Sequence, residues 1–305
     1  MQSIASSKGK GWKKDYPDFR DNSIDTTKLT ERQLSRGAKE SVNKIWTKLK
    51  GTKSKIKNIN AKNIVDLRQW CSPIEDQGRI GSCTANAGVG LYEYFERRSF
   101  GRHIDGSRLF LYKATRNLLR WKDDDGAYLR TTMAAMALFG IVPEKYHPYN
   151  ETRFNDEPGA FLYSYAQNYQ AMLYYRLDVP GVTRKELLEK IKEHLRMGLP
   201  LIFGFTCYTS LDLADDGKIP FPDPKEDIDG GHAVMAVGYD DKKEITNPNN
   251  GKTTTGAFLI RNSWGTEWGE KGYGWLPFEY VLRGIADDWW AMTKAEWVDT
   301  KQFGL

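Results

Sequence analysis

The period of the apolar residues changes along this chain, and that change constrains its fold more than any other feature. After Gly81-Ser82 a helix is expected to begin at about Cys83, and another to run from Leu129 to Phe139, where Met133, Met136 and Ala137 can share a face. Thr183-Arg184-Lys185-Glu186 has the form of a capping box ahead of Leu187, Leu188, Ile191 and Leu195, with Gly198 and Pro200 as stops. Beyond that point the pattern changes to apolar runs bounded by turn residues: Leu201 to Phe205, Ala233 to Tyr239 and Ala257 to Arg261. Such runs read as buried strands. Helices first and strands afterwards predict an α+β protein of two lobes, with Asp241 to Gly256 as an exposed hairpin loop.

The first 25 residues have no period and read as an extended arm. A capping box at Thr30-Glu31-Arg32-Gln33 then opens an amphipathic helix carrying Leu34, Ala38, Ile45 and Leu49 on one face and stopping near Gly51. A lysine-rich linker, Gly51 to Lys57, follows. Residues 1–60 hold 15 Lys and Arg against 6 Asp and Glu, while the remainder holds 30 against 34, so a basic segment precedes a mildly acidic body. At 305 residues, the expected division is an extension over 1–60, a body over 61–285 and a tail over 286–305. Within the body a helical lobe is expected over about 75–160 and a β-rich lobe over about 161–285.

No apolar run reaches the roughly 18 residues of a membrane span, and the start lacks the apolar stretch of a secretory signal. The three cysteines, Cys71, Cys83 and Cys207, are odd in number and too sparse for a disulfide framework. A cytoplasmic or otherwise reducing compartment, or a virion, is therefore expected. None of the cysteines stands at C-x2-C spacing and no histidine follows at finger spacing, so no metal or cofactor is expected.

Cys83 stands where an apolar helix begins, so the positive end of that helix would favour its thiolate. His232 enters a buried strand behind Gly230 and Gly231, which allow close approach of another backbone. Asn262 ends a further strand, in Arg261-Asn262-Ser263-Trp264-Gly265. Alone, each has a bland reading as core thiol, core imidazole or turn cap. Together they stand in the order Gln-x5-Cys, a histidine 149 residues on, and an asparagine 30 beyond that.

In Asp76-Gln77-Gly78-Arg79-Ile80-Gly81-Ser82-Cys83, in Gly231-His232-Ala233-Val234-Met235-Ala236-Val237-Gly238-Tyr239 and in Asn262-Ser263-Trp264-Gly265 through Gly274, the chain resembles the papain/cathepsin family of cysteine peptidases. The likeness spans roughly residues 63–282. It implies a papain-like α+β fold with a helical lobe, a β-barrel-like lobe and a cleft between them. It further implies that Cys83 is the nucleophile, His232 the base and acid, Asn262 the residue orienting the imidazole and Gln77 an oxyanion donor. Gly81, Ser82, Gly126, Ala127, Gly231 and Trp264 would bind the substrate, a peptide or protein, and Trp264 would also shield the Asn262–His232 hydrogen bond from water. No nucleic acid is expected for catalysis.

Three positions depart from the family pattern. Ile80 replaces a disulfide-forming cysteine of secreted members, Thr84 an aromatic after the nucleophile, and Ala127 the second glycine of a pair, which would narrow that subsite. The combination looks most like a disulfide-poor branch found in prokaryotes and some viruses. Two expectations attach to residues 1–60. One is an inhibitory role, with Trp12, Tyr16, Phe19, Leu34, Ile45 and Leu49 buried against the body and processing in the lysine-rich linker. The other is capture of an anionic partner such as a nucleotide, nucleic acid or membrane surface.

Overall fold

The computed structural model describes residues 3–19, 21–25, 28, 40–51, 63–170, 173–214 and 216–304. In chain order its elements are α1 (Val42–Gly51), β1 (Ile64–Asp66), α2 (Cys83–Phe100), α3 (Arg108–Leu119), α4 (Leu129–Leu138), α5 (Ala160–Ala166) and β2 (Leu173–Arg176). There follow α6 (Arg184–Arg196), β3 (Leu201–Tyr208), β4 (Ile228–Thr246), β5 (Thr253–Arg261), β6 (Tyr273–Pro277), α7 (Glu279–Leu282), β7 (Ala286–Thr293) and α8 (Ala295–Asp299). Helices thus dominate the first half and strands the second, the α+β arrangement expected. No helix among the described residues is long and apolar enough to cross a membrane.

Local chemistry accounts for the element ends that matter here. Helix α2 is buried continuously from Cys83 to Phe95 and stops at Gly101, whose left-handed φ of 71° lets its N–H reach the Arg97 carbonyl at 2.8 Å. At α6 the capping box is present, the Thr183 N–H donating to Glu186 Oε2 at 2.8 Å and the Glu186 N–H to Thr183 Oγ1 at 3.3 Å. The expected loop after Asp241 is instead paired at its outer end, Glu244–Thr246 with Thr253–Thr255, beyond a register break between Asp240 and Glu244.

The strands form one antiparallel sheet in the order β2-β7-β3-β4-β5-β6, with β1 added to β4. The β-rich lobe was expected to be barrel-like; β2 and β6 instead end the order as separate edges, so the sheet is open. Helix α2 packs against β4, and Cys83 at its first position reaches the backbone of Ala233, the residue after His232.

Two readings of the chain ends are corrected. Residues 286–305 are not a tail: β7 lies between β2 and β3 and is buried along its length, and Trp297 and Phe303 pack on Phe95 of α2. The segment reads poorly as a strand because Asp287 and Asp288 interrupt its apolar run. Their carboxylates are met by Lys14, Arg176 and Arg184. Of the face expected to be buried in the extension, Trp12, Ile45 and Leu49 are buried, whereas Tyr16 is 74% and Phe19 95% exposed. The capping box at Thr30, with Leu34, Ala38 and the linker beyond Gly51, lies outside the described residues.

Candidate active site

The N-terminus of α2, the loop before it and the β4–β5 pair converge on one cleft. Cys83 opens α2, Gln77 precedes it on the loop, His232 lies on β4 and Asn262 just follows β5. All four are at least 98% buried. His232 Nε2 and Asn262 Oδ1 are 2.7 Å apart, and Asn262 Oδ1 also accepts from the Ser263 N–H at 2.8 Å. The Trp264 ring stacks on the imidazole, with centroids 4.5 Å apart and 25° between planes. It covers the histidine and keeps water from the polar pair. Gln77 is fixed by its Oε1, which accepts from Ser263 Oγ at 2.6 Å, and by its own N–H, which donates to the Ser263 carbonyl at 2.8 Å.

The cleft is filled by the chain's own first residues. The Gly9 carbonyl accepts from Gln77 Nε2 at 3.0 Å, and the Gly9 N–H donates to the Gly78 carbonyl at 3.1 Å. Further along, the Ala127 N–H donates to Gly11, the Trp12 N–H to the Gly231 carbonyl and the Lys13 N–H to the Ala127 carbonyl, at 2.8, 2.9 and 3.0 Å. Trp12 and Ala127 thus form an isolated parallel bridge. Sequence reasoning missed this path, although Lys8-Gly9-Lys10-Gly11-Trp12 carried a signal. A Cβ on Gly9 would lie 2.2 Å from the Ile80 carbonyl oxygen, and one on Gly11 2.0 Å from that of Gly81. Only residues without side chains pass so close to this loop.

The other expected site residues are distributed unevenly. Gly81, Gly126, Ala127 and Gly231 border the arm, and a Cβ on Gly126 would fall 1.8 Å from the Gly11 carbonyl oxygen. The Gly81 N–H is held by Asp124 Oδ1 at 2.9 Å. Ser82 turns its side chain away: Ser82 Oγ pairs with the Tyr149 hydroxyl at 2.7 Å and accepts from Asn86 Nδ2 at 3.0 Å. Trp264 stacks on the histidine.

Occupation of the cleft changes its electrostatics. Burial pushes the Cys83 thiol up to about 11, against hydrogen bonds from the backbone at Ala233, Gly11 and Thr84. Burial likewise pushes His232 down to about 4, against its bond to Asn262. Desolvation thus outweighs the helix N-terminus that favours the thiolate, and both groups are neutral near pH 7 while the arm is seated. His232 Nδ1 has no hydrogen-bond partner among the described residues.

Ion pairs hold the arm on either side. Lys8 meets Asp76 at 2.6 Å and Lys14 meets Asp287 at 2.5 Å; Lys10 pairs with Asp229, and Arg130 with Asp15 and Asp21. Among the described residues no group of three or more His, Cys, Asp and Glu is placed to hold a metal ion.

The sequence profile described as papain family cysteine protease matches residues 61–288. An uncharacterised peptidase C1-like protein of Acanthamoeba polyphaga mimivirus is 35% identical over 239 residues, covering 76% of this chain and 73% of the relative. Cathepsin K of Gallus gallus is 31% identical over 220 residues, 68% of this chain and 57% of its own length. Among solved structures, xylellain, a cysteine protease from Xylella fastidiosa, superposes with a TM-score of 0.70 at 29% identity, covering 97% of this chain and 98% of that one. With most of the chain matched in sequence and nearly all of it in fold, this protein belongs to the papain family of cysteine proteases.

Proposed function

We propose that the chain is an endopeptidase held closed by its own N-terminal arm, residues 1–60 serving as a regulatory extension of the catalytic body. In the open enzyme the Cys83 thiol passes its proton to His232, and the thiolate attacks the scissile carbonyl. The oxyanion that forms accepts from Gln77 Nε2 and the Cys83 N–H. As the C–N bond breaks, the imidazolium gives its proton to the leaving amine. Water then attacks the thioester while His232 takes its proton, which returns to sulfur when the acid leaves. Asn262 holds the imidazole plane through the 2.7 Å contact.

The observation that carries the inhibitory reading is the seat of Gly9, whose carbonyl takes the Gln77 donor at 3.0 Å. A substrate carbonyl needs that same donor, so arm and substrate exclude one another. The alternative role, capture of an anion by the basic segment, is less favoured: Lys8, Lys10 and Lys14 already face Asp76, Asp229 and Asp287.

Hydrolysis of a fluorogenic peptide, in the native chain and in an arm-loosened Gly11→Val background, tests the reading. Cys83→Ala is expected to lower turnover at least about a thousandfold in either background, and Cys71→Ala and Cys207→Ala to retain it. Undiminished turnover in a folded Cys83→Ala chain overturns the assignment.

A further inference from the structure

The turn that delivers Cys83 is irregular, so the N–H groups of residues 78–81 find no partners in a helix or strand. Carboxylates take three of them. Asp76 Oδ1 accepts from Gly78 at 2.8 Å, Glu151 Oε2 from Arg79 at 2.6 Å, and Asp124 Oδ1 and Oδ2 from Gly81 at 2.9 and 3.1 Å. The last of these reaches furthest into the site. The Gly81 N–H and the Ile80 carbonyl belong to one planar peptide unit, so fixing the first fixes the second. That carbonyl accepts from Gln77 Nε2 at 3.0 Å and from the Ser82 N–H at 2.8 Å. It therefore aims the Gln77 donor and starts the turn into Cys83.

Asp124 is braced in turn by α3. Arg116 is fully buried and donates from Nη1 to the Lys122 and Asp123 carbonyls, both at 3.1 Å. One turn earlier on the helix, the Tyr112 hydroxyl donates to Asp124 Oδ1 and accepts from the Gly126 N–H at 3.3 Å. Gly81 and Gly126 lie against each other, since a Cβ on Gly81 would fall 3.1 Å from the Gly126 Cα. Asp124 and Tyr112 thus join the turn before the nucleophile to the segment whose Ala127 pairs with the arm. No covalent link does so, because Cys71, Cys83 and Cys207 are all free.

Resting on the peptidase reading above, we propose that Asp124 is a positioning residue for the oxyanion site, acting through the Ile80–Gly81 peptide on Gln77 and on the Cys83 N–H. A carboxylate suits this role because it accepts from two donors at once, each bond being roughly twice as strong as one between neutral groups. Without it the buried Gly81 N–H loses its acceptor, and the peptide unit rotates to find another. The Ile80 carbonyl then no longer aims Gln77 Nε2. Donors displaced in this way cost most where charge develops on the substrate oxygen, so the loss falls on the transition state.

The test uses the full chain in the arm-loosened Gly11→Val background, with kcat taken per Cys83 titrated by a thiol-directed epoxide. Asp124→Ala is expected to lower kcat roughly tenfold or more with KM within about twofold. Asp124→Asn keeps one acceptor oxygen and should lose only about threefold. Tyr112→Phe should lose about threefold alone and little more on top of Asp124→Ala, since it acts through the same carboxylate. An unchanged kcat per titrated site in Asp124→Ala, with only Tm lowered, overturns the proposal, as do losses that multiply in the double variant. Should Asp124→Ala fail to fold, Asp124→Asn and Tyr112→Phe decide. A second measurement needs no hydrolysis: a peptide aldehyde adds reversibly to Cys83, the S–C bond forming as the thiol proton passes to the former carbonyl oxygen. Its competition with iodoacetamide, followed by intact mass, is expected to need roughly tenfold more aldehyde in Asp124→Ala than in the parent, and equal protection overturns the proposal. Weakened protection without hydrolysis by any chain would remove the peptidase reading and leave the positioning role. Hydrolysis undiminished by the substitution would do the reverse.

Discussion

Residues 8–14 and residues 42–51 belong to one N-terminal segment, yet different forces hold them. The first stretch is bound through its backbone, at Gln77, Gly78, Ala127 and Gly231, through lysines to acidic side chains and through a single buried ring, Trp12. The second, α1, buries Val42, Ile45, Trp46 and Leu49, and Trp46 packs on His194 of α6 with centroids 4.5 Å apart. Backbone pairing of the first kind is open to other extended peptides, so a substrate can replace it. Side-chain packing of the second kind is specific to this helix. The cleft segment can therefore leave while α1 stays docked, and truncating both at once would confuse inhibition with stability.

The largest expected effect separates the two by destabilisation alone. Leu49→Ala removes a side chain that is 1% exposed and should cost about 2–5 kcal/mol of stability, read as a lower Tm. Turnover well below the transition should not rise, because the elements α1 packs on, β2, α6 and α8, carry none of Gln77, Cys83, His232 and Asn262. An increase in turnover would mean that the helix and the cleft segment move as one.

Gly11→Val should give the converse. The new Cβ would meet the Gly81 carbonyl oxygen at 2.0 Å, a backbone atom that cannot swing aside. Overpacking of this kind costs about 1–3 kcal/mol, enough to raise basal turnover roughly tenfold, with little change in the packing of α1. The pH dependence of Cys83 alkylation gives an independent reading. With the arm seated, burial holds the thiol near about 11, so the thiolate is scarce at neutral pH and accumulates only as pH climbs toward that value. An open cleft rehydrates the thiolate and lets His232 take up a proton, so in Gly11→Val alkylation should already be fast near pH 7. Superimposable pH profiles for the two chains would show that the arm does not control the thiol.

The same contrast explains what the sequence disclosed. Helix α6 was legible because its capping box and apolar spacing are properties of neighbouring residues, and the β3, β4 and β5 runs because each is apolar between turn residues. The expected partners Gln77, Cys83, His232 and Asn262 were visible through local motifs. Backbone pairing leaves no such pattern, so the path of residues 9–13 through the cleft was hidden, apart from two glycines and a tryptophan. Asp288 was hidden for another reason. A carboxylate inside a buried strand looks like solvent-facing chain until Arg176, distant in sequence, is placed beside it.

The smallest effect expected is that of salt on the closed state. Lys8 and Lys10 pair with Asp76 and Asp229, carboxylates whose side chains are 50% and 44% exposed, and Lys14, itself 39% exposed, pairs with Asp287. Pairs this open to water are worth at most about 1 kcal/mol each, and the Debye length shrinks from about 10 Å at 0.1 M to about 3 Å at 1 M. Raising ionic strength across that range should therefore lift basal turnover of the native chain about two- to threefold. In Gly11→Val, where the segment is already displaced, the same change should leave turnover flat. A rise of equal size in both chains would assign the salt effect to substrate binding or to the chemistry. A native rise beyond tenfold would mean that charge, rather than the backbone bonds and Trp12, holds residues 8–14 in the cleft.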